Sequence, residues 1–208
     1  MSFLENLNWR YATKKFDTTK KISEENLQKI REAIRLAPAS MGLQLYKILE
    51  VTNGEVREKM RAASNNQPQV TDADRVFVFL ASIDGENRVE EMFTEMSGGN
   101  AEVRENNLKG YEDMVRGFAL SKSHDNLLAW SQKNLGIALG FALAACAELK
   151  IDACPMDGFD PLQIKEILGA GENFFPVAYL AVGYRDESDE TSSRPKWRLP
   201  LDKTIQKI

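Results

Sequence analysis

The spacing of apolar residues predicts several helices along the chain. Ser2 and Glu5 have the spacing of a capping box, so we expect a short first helix that ends near Arg10. One apolar stripe over Glu24 to about Leu36 predicts a second helix. The longest pattern runs from about Asp125 to Leu149, and its second half is dense in glycine and alanine. Because small residues let another backbone approach closely, this helix is either central to the core or a seam between subunits.

Shorter or more polar helices are predicted between these. Asn53-Gly54 turns the chain into one helix, and Asp160-Pro161 supplies a cap and a first-turn proline for another that ends at Gly169. The segment from Glu86 to Ser123 is polar and helical in pattern. A break or turn is expected within it, at Ser97-Gly98-Gly99-Asn100.

Four apolar segments predict strands, at Leu45–Val51, Arg75–Ser82, Ile151–Ala153 and Phe175–Val182. The continuous apolar run within Arg75–Ser82 is typical of a strand that is buried on both faces. Strands separated by helices favour a parallel α/β sheet. The alternative is an antiparallel sheet, because long helices can equally cross between antiparallel strands.

The chain after Gly183 is polar and has no apolar core of its own. The sequence of 208 residues contains no internal repeat, low-complexity stretch or linker. This length and continuity predict one domain.

Composition argues against several locations and partners. The chain has 27 Lys and Arg against 31 Asp and Glu, a net charge of −4, which disfavours nucleic acid and anionic membranes as partners. The most apolar run, Leu135 to Ala147, is shorter than the roughly 20 residues that span a bilayer. The chain opens without a secretion-signal pattern, and Cys146 and Cys154 are its only cysteines. We therefore expect a reducing, cytoplasmic setting.

The residue types also disfavour hydrolases and metalloenzymes. His124 is the only histidine, which excludes multi-histidine metal sites, so no metal is expected. Gly169-Ala170-Gly171 follows a helix and lacks the third glycine of a dinucleotide fingerprint, and no phosphate-loop sequence occurs. Cys146 lies in an alanine-rich helix, where a buried thiol is inert.

Two basic clusters stand out in this acidic chain. Arg10 and Lys14 are one helical turn apart, and Arg194, Lys196 and Arg198 alternate, so in an extended segment the last three point to one side. Each cluster is either solvated surface or half of an anion site. If both clusters converged on one phosphate they would bind it well, because arginine forks match phosphate oxygens.

Five segments together resemble the motifs of the nitroreductase family of FMN flavoproteins. In chain order they are Arg10–Asp17, Leu36–Gln44, Asn65–Ala73, Pro155–Asp160 and Lys196–Pro200. Each segment alone is a weak signal. Their joint order is specific, and it covers the chain from end to end.

The resemblance implies an α+β fold with a central antiparallel sheet flanked by helices, in place of the parallel sheet that the element order favours. It also implies one nitroreductase-like domain over residues 1–208 and an intertwined homodimer. The C-terminal tail, about residues 184–208, would cross to the partner subunit. This arrangement would give a reason for the small-residue helix and for a tail without its own core.

The resemblance further implies roles for individual side chains. Arg10, Lys196 and Arg198 would neutralise the FMN phosphate. Lys14 would act as electrostatic support beside the flavin N1/C2 carbonyl, where negative charge collects on reduction. No side chain is required as a general acid or base.

Other positions would contact the flavin ring. Asn66 would hydrogen-bond the pyrimidine edge, and the main chain at Asp157-Gly158 would donate an N–H to flavin N5. The complete set of implied cofactor-binding residues is Arg10, Tyr11, Ala12, Thr13, Lys14, Pro38, Ala39, Ser40, Gly42, Asn66, Gln69, Pro155, Asp157, Gly158, Lys196, Trp197 and Arg198.

Three departures from the family pattern leave the reduction potential and the substrate preference open. Ala12 stands where many relatives have serine, and Gln69 stands where some have a second lysine. Met41 and Gly42 replace polar loop residues of some members.

The implied activity is an FMN-dependent NAD(P)H oxidoreductase with NADH or NADPH as electron donor. It would reduce nitroaromatics, quinones or similar flat, small-molecule aromatic acceptors by ping-pong hydride transfer through flavin N5. Alternatives are a specialised relative (a flavin reductase, enone reductase or dehalogenase), a non-catalytic flavin-binding dimer, and a plain helical dimer that displays the basic clusters.

Overall fold

A four-stranded antiparallel sheet lies at the centre of the protein. The structure is a computed structural model that describes residues 2–208. The strands are β1 (Tyr46–Val51), β2 (Arg75–Ser82), β3 (Asp152–Met156) and β4 (Phe174–Gly183), in the order β1-β2-β4-β3. Every neighbouring pair is antiparallel. The parallel sheet favoured by the element order is therefore wrong, because the β1–β2 and β3–β4 connections bring the chain back into the sheet at the same end that it left. The antiparallel α+β expectation is confirmed.

Helices flank this sheet on both faces. They are α1 (Phe3–Trp9), α2 (Glu24–Arg35), α3 (Gly54–Ala62), α4 (Gln69–Asp72), α5 (Gly85–Met96), α6 (Ala101–Val103), α7 (Lys109–Leu120), α8 (His124–Glu148), α9 (Pro161–Ile167) and α10 (Leu201–Thr204). A π-helical turn, Arg104–Leu108, joins α6 to α7, and 3-10 turns lie at Ser40–Gly42 and Glu190–Ser193. None of the helices within residues 2–208 has both the length and the apolar character that crossing a membrane requires.

Most predicted boundaries lie within two residues of the observed ones, and β3 is the exception. The strand continues through Pro155 to Met156, three residues beyond its predicted end at Ala153. Proline is tolerated there because β3 is an edge strand of the sheet, where one side of the backbone needs no ladder hydrogen bond. The extension carries the chain to Asp157-Gly158 directly from the end of a strand.

The hydrophobic core has a cluster on each face of the sheet. Phe77 and Phe79 of β2 pack with α2 and α8 on one face, whereas Val76 and Val78 pack with α3 and α9 on the other. The unbroken apolar run of β2 follows from this, since both faces of that strand are covered. A third cluster joins α5, α7 and the start of α8.

Helix α8 has two faces of different character. Ala138 and Ala142 are fully buried against the sheet. Ile137 and Phe141 are each 42% exposed, beside the exposed Gly136 and Gly140. The small residues therefore serve the core on one side and leave an uncovered, partly apolar surface on the other.

Candidate functional site

The segment after α1 runs between the edge of the sheet and the chain that follows β4. Ala12 forms a parallel bridge with Ala153 of β3, and Phe16 forms an antiparallel bridge with Arg185. Gly183 permits this approach, because a Cβ atom there would lie 2.9 Å from the Phe16 ring. The first motif is thus held against the start of the C-terminal segment.

Two buried carboxylates fix this arrangement. Asp189 accepts hydrogen bonds from the Tyr11 hydroxyl at 3.0 Å and from the Lys14 main-chain N–H at 2.8 Å. Asp152 pairs with Arg185 at 2.6 Å, and the Arg185 guanidinium lies 4.6 Å from the Tyr11 ring centroid. No local sequence pattern predicts a role for Asp152, Arg185 or Asp189, because their partners are distant in the chain.

Arg10, Lys196 and Arg198 converge on one cavity. Together with Leu4, Leu7 and Asn8 they line a space of about 400 Å³. The Lys196 amine donates to the Asn8 carbonyl. Within the described residues, no carboxylate forms an ion pair with any of the three cations.

The pKa shifts at this cavity indicate uncompensated positive charge. Partial burial lowers the pKa of Arg10, and repulsion from Arg198 lowers it further. The pKa of Lys196 is lowered by partial burial and then by Arg10 and Arg198. A dianion in the cavity would relieve this repulsion, and its oxygens would match the guanidinium and ammonium donors.

Lys14, Cys154 and Gln69 form a second group of polar atoms. The Lys14 Nζ lies 3.9 Å from the Cys154 Sγ. Burial raises the pKa of the Cys154 thiol, although Lys14 opposes the shift, so the thiol is neutral at pH 7. Gln69 is only 4% exposed, and its Oε1 accepts no hydrogen bond within the described chain. An unpaired buried acceptor near a lysine amine fits a ligand edge that presents both N–H and carbonyl groups.

The turn carrying Asn66 contacts the loop at Gly158. Asn65 and Asn66 both have a φ of +54°, a left-handed conformation that is uncommon outside glycine. The Gly158 carbonyl accepts hydrogen bonds from Asn65 Nδ2 at 3.1 Å and from Gln67 Nε2 at 3.0 Å. The Asn65 and Gln67 amides therefore hold this loop on its protein side. Asp157 and Gly158 remain exposed to solvent on the other side.

The loop over Pro38–Gly42 is held elsewhere in the protomer. The Ser40 N–H donates to Asn134 Oδ1 at 2.7 Å, and the Tyr111 hydroxyl donates to the Met41 carbonyl at 2.8 Å. Within residues 2–208, no hydrogen bond or ion pair joins this loop to Arg10, Lys14 or Gly158. One protomer therefore does not bring the second motif to the cationic cavity.

The remaining predicted residues differ in how they are placed. The Tyr11 and Thr13 side chains are buried and directed to Asp189 and Asp152, so a ligand contact from this stretch would use its main chain. Trp197 is 78% exposed and lines a neighbouring cavity with Arg198, Leu199, Leu201 and Thr204. In the described part of the chain, no three His, Cys, Asp or Glu side chains gather as a metal site would require.

Comparisons with known proteins identify the family. The model of the nitroreductase family matches residues 7–184. A Staphylococcus saprophyticus protein named as an NAD(P)H nitroreductase is 31% identical over 99% of this chain and 96% of its own length. Bacillus subtilis YfkO, named likewise, is 32% identical over 98% of this chain and 96% of its own length.

Solved structures of similar proteins have the same fold. Bacillus subtilis ydfN, titled a nitroreductase, has a TM-score of 0.85 at 23% identity, covering 99% of this chain and 98% of that one. A nitroreductase of Exiguobacterium sibiricum, whose structure is a complex with FMN, has a TM-score of 0.84 at 22% identity, covering 100% and 98%. The sheet, the order of the five motifs and the match along nearly the whole sequence lead to one conclusion: this chain belongs to the nitroreductase family.

Proposed function

We propose that the protein is an FMN-dependent NAD(P)H oxidoreductase that reduces nitroaromatics, quinones or similar flat electrophiles by ping-pong hydride transfer. The observation that carries the proposal is the cavity shared by Arg10, Lys196 and Arg198. Relatives named as NAD(P)H nitroreductases and a structural neighbour in complex with FMN support the same assignment.

The three cations bind the phosphate of FMN. Arginine offers paired N–H donors in a rigid fork, whereas the lysine ammonium acts as a compact point charge. Repulsion among the unpaired cations, which lowers the pKa values of Arg10 and Lys196, is removed when a dianion binds. Phosphate binding therefore stabilises the arrangement in which the two ends of the chain lie side by side.

The groups around Lys14 and Gly158 bind the flavin ring. The unpaired Gln69 Oε1 accepts from a ring N–H, and Asn66 offers a donor and an acceptor to the same pyrimidine edge. Lys14 places positive charge beside the ring carbonyl, which stabilises the reduced cofactor and raises its potential. Near Gly158 the absence of a side chain lets the main chain approach the reactive edge.

When bound, FMN would supply the chemistry of hydride transfer between NADH or NADPH and the acceptor. The protein's residues hold the ring, orient the two substrates in turn and shield the site from water. No side chain is needed as a general acid or base. One shared slot for donor and acceptor accounts for activity toward several flat electrophiles.

The proposed enzyme is a homodimer. The exposed face of α8, with Ile137 and Phe141, is the surface that a second copy covers. The Pro38–Gly42 loop reaches the flavin of the partner, which accounts for its separation from the cationic cavity of its own protomer. Residues 185 to 198 stay against their own protomer, where Arg185 bridges to Phe16 and Arg198 shares a cavity with Arg10. Only the chain beyond Arg198 therefore crosses to the partner, and the exposed Trp197 lies between subunits.

The proposal is tested with purified protein before and after anaerobic addition of NADH or NADPH. We expect yellow protein that releases FMN on denaturation, bleaches with either nicotinamide and regains colour with a quinone or a nitroaromatic compound. Protein without flavin that also fails to take up added FMN would contradict the assignment. FMN that stays bound but is never bleached would indicate the non-catalytic dimer instead.

A further inference from the structure

Asp189 is a buried carboxylate at the point where the two ends of the chain meet. It is 3% exposed, which is rare for aspartate unless hydrogen bonds compensate the loss of water. Its Oδ2 accepts from the Tyr11 hydroxyl at 3.0 Å, the Lys14 N–H at 2.8 Å and the Lys15 N–H at 3.2 Å. Its Oδ1 accepts from the Thr191 N–H at 3.0 Å.

The carboxylate binds the main chain of the first motif and leaves the motif's cations free. The Lys14 amine points to Cys154, and the Lys15 amine lies near Ser188. Burial alone would raise the pKa of Asp189, but the main-chain donors of Lys14 and Lys15 outweigh it and hold the pKa below its usual value. Asp189 therefore stays ionised without neutralising either lysine.

The position of Asp189 in the chain connects both basic clusters. Toward the N-terminal end of the chain, Asp189 binds Tyr11, which directly follows Arg10, and Lys14, which lies in the same Arg10–Asp17 motif. On the other side the chain continues through the Glu190–Ser193 turn to Lys196 and Arg198. A shift of this carboxylate would move the two halves of the cationic cavity relative to each other.

We propose that Asp189 is a positioning residue that holds the chain ends in the register required for the cofactor's phosphate. The inference rests on the proposed FMN site and adds to it a residue that touches neither phosphate nor ring. Loss of Asp189 is therefore expected to weaken binding of the phosphate group more than binding of the flavin ring.

The test compares FMN with riboflavin, which has the same ring and no phosphate. Dissociation constants are measured by flavin fluorescence for wild-type apoprotein, Asp189→Asn and Asp186→Asn. Asp186→Asn is the matched control, because it removes one negative charge from the same segment. The Asp186 carboxylate accepts a hydrogen bond from the Ser188 N–H at 2.8 Å. Tyr11→Phe removes one of the Asp189 hydrogen bonds without a charge change and serves if Asp189→Asn does not fold.

We expect Asp189→Asn to raise the dissociation constant for FMN about tenfold or more, a loss comparable to that of one charge-assisted hydrogen bond. The value for riboflavin should change less than about threefold, Asp186→Asn should leave both ligands unaffected, and Tyr11→Phe should weaken FMN selectively to a smaller degree. An equal loss for both ligands, or no loss for either, would overturn the positioning role. Wild-type protein that binds FMN no more tightly than riboflavin would instead reject the phosphate site itself.

Discussion

The Gln67 side-chain amide donates a 3.0 Å hydrogen bond to the main-chain carbonyl of Gly158. The bond joins a helix-terminal turn to the loop after β3. It fixes the Gly158-Phe159 peptide directly, and through the Gly158 Cα it restricts the orientation of the adjoining Asp157-Gly158 peptide. In the proposed enzyme this peptide faces flavin N5, so its orientation sets the geometry of hydride transfer.

Gln67→Leu should therefore slow the reduction of bound FMN while leaving the cofactor bound. Loss of one hydrogen bond of about 1 kcal/mol predicts a decrease of roughly 3- to 10-fold in the rate. Stopped-flow absorbance with NADH or NADPH measures it. The control is Gln163→Leu, an exposed glutamine on α9 that bonds only to Asp160. Equal reduction rates in wild type and Gln67→Leu would remove this contact from the catalytic geometry.

Lys14→Met should retain FMN but lower its reduction potential and slow its reduction. The substitution removes the cation that stabilises the reduced ring, and it keeps most of the apolar stem of the side chain. Redox titration and stopped-flow absorbance report the two quantities. Lys15→Met is the matched control, because the Lys15 amine lies near Ser188 and away from Cys154. A potential unchanged from wild type would contradict the role assigned to Lys14.

Phe141→Glu should convert the dimer to monomers and abolish FMN retention together. The new carboxylate would be buried without a partner if a second α8 covered this face, and the separated protomer would lack the partner's Pro38–Gly42 loop. Sedimentation velocity and released-flavin absorbance measure both effects. Ala62→Glu, on the exposed surface of α3, should change neither. A monomeric wild-type protein that binds FMN would be inconsistent with a shared site.

Cys146 should make the protein's stability depend on alkaline pH. Burial, with a smaller contribution from Asp152, raises the pKa of its thiol to about 12. Since the unfolded thiol has a pKa of roughly 8.5, its contribution is complete below that pH and is lost as pH rises toward the folded value.

Cys146→Ala should therefore flatten the fall in unfolding free energy between about pH 9 and pH 11, by up to about 1.4 kcal/mol per pH unit. Urea unfolding at several pH values gives the slope. Ala138→Gly, which removes packing from α8 without removing a titrating group, should lower stability equally at each pH. If the unfolding free energy of Cys146→Ala fell with pH as steeply as that of wild type, the Cys146 thiol would not have the raised pKa of a buried group.

The sequence predicts local structure well where one element determines its own pattern. The capping box at Ser2, the stripe on α2 and the apolar run of β2 each identified an element. The direction of the strands could not be obtained in this way. The same helical connections fit parallel and antiparallel sheets, and only the resemblance to a known family separated them.

Part of the candidate site was also predictable, where its residues form a local pattern in the sequence. The alternation of Lys196 and Arg198 predicted one half of an anion site, and the fold brings this half to Arg10, which belongs to the other half. Asp189 was not predictable, because its four donors come from Tyr11, two lysine amides and the following turn. Nothing in the local sequence distinguishes a buried carboxylate from its exposed acidic neighbours.

The central claim is that cations from both ends of the chain hold one FMN phosphate. Its most direct test is the FMN dissociation constant of Arg198→Ala at low and at high salt, with Arg194→Ala as control because Arg194 does not line the cavity. We predict a loss of about 10- to 100-fold for Arg198→Ala, larger at high salt, where the remaining cations are screened, and no loss for Arg194→Ala. FMN binding by Arg198→Ala that equals wild type at both salt concentrations would contradict the claim.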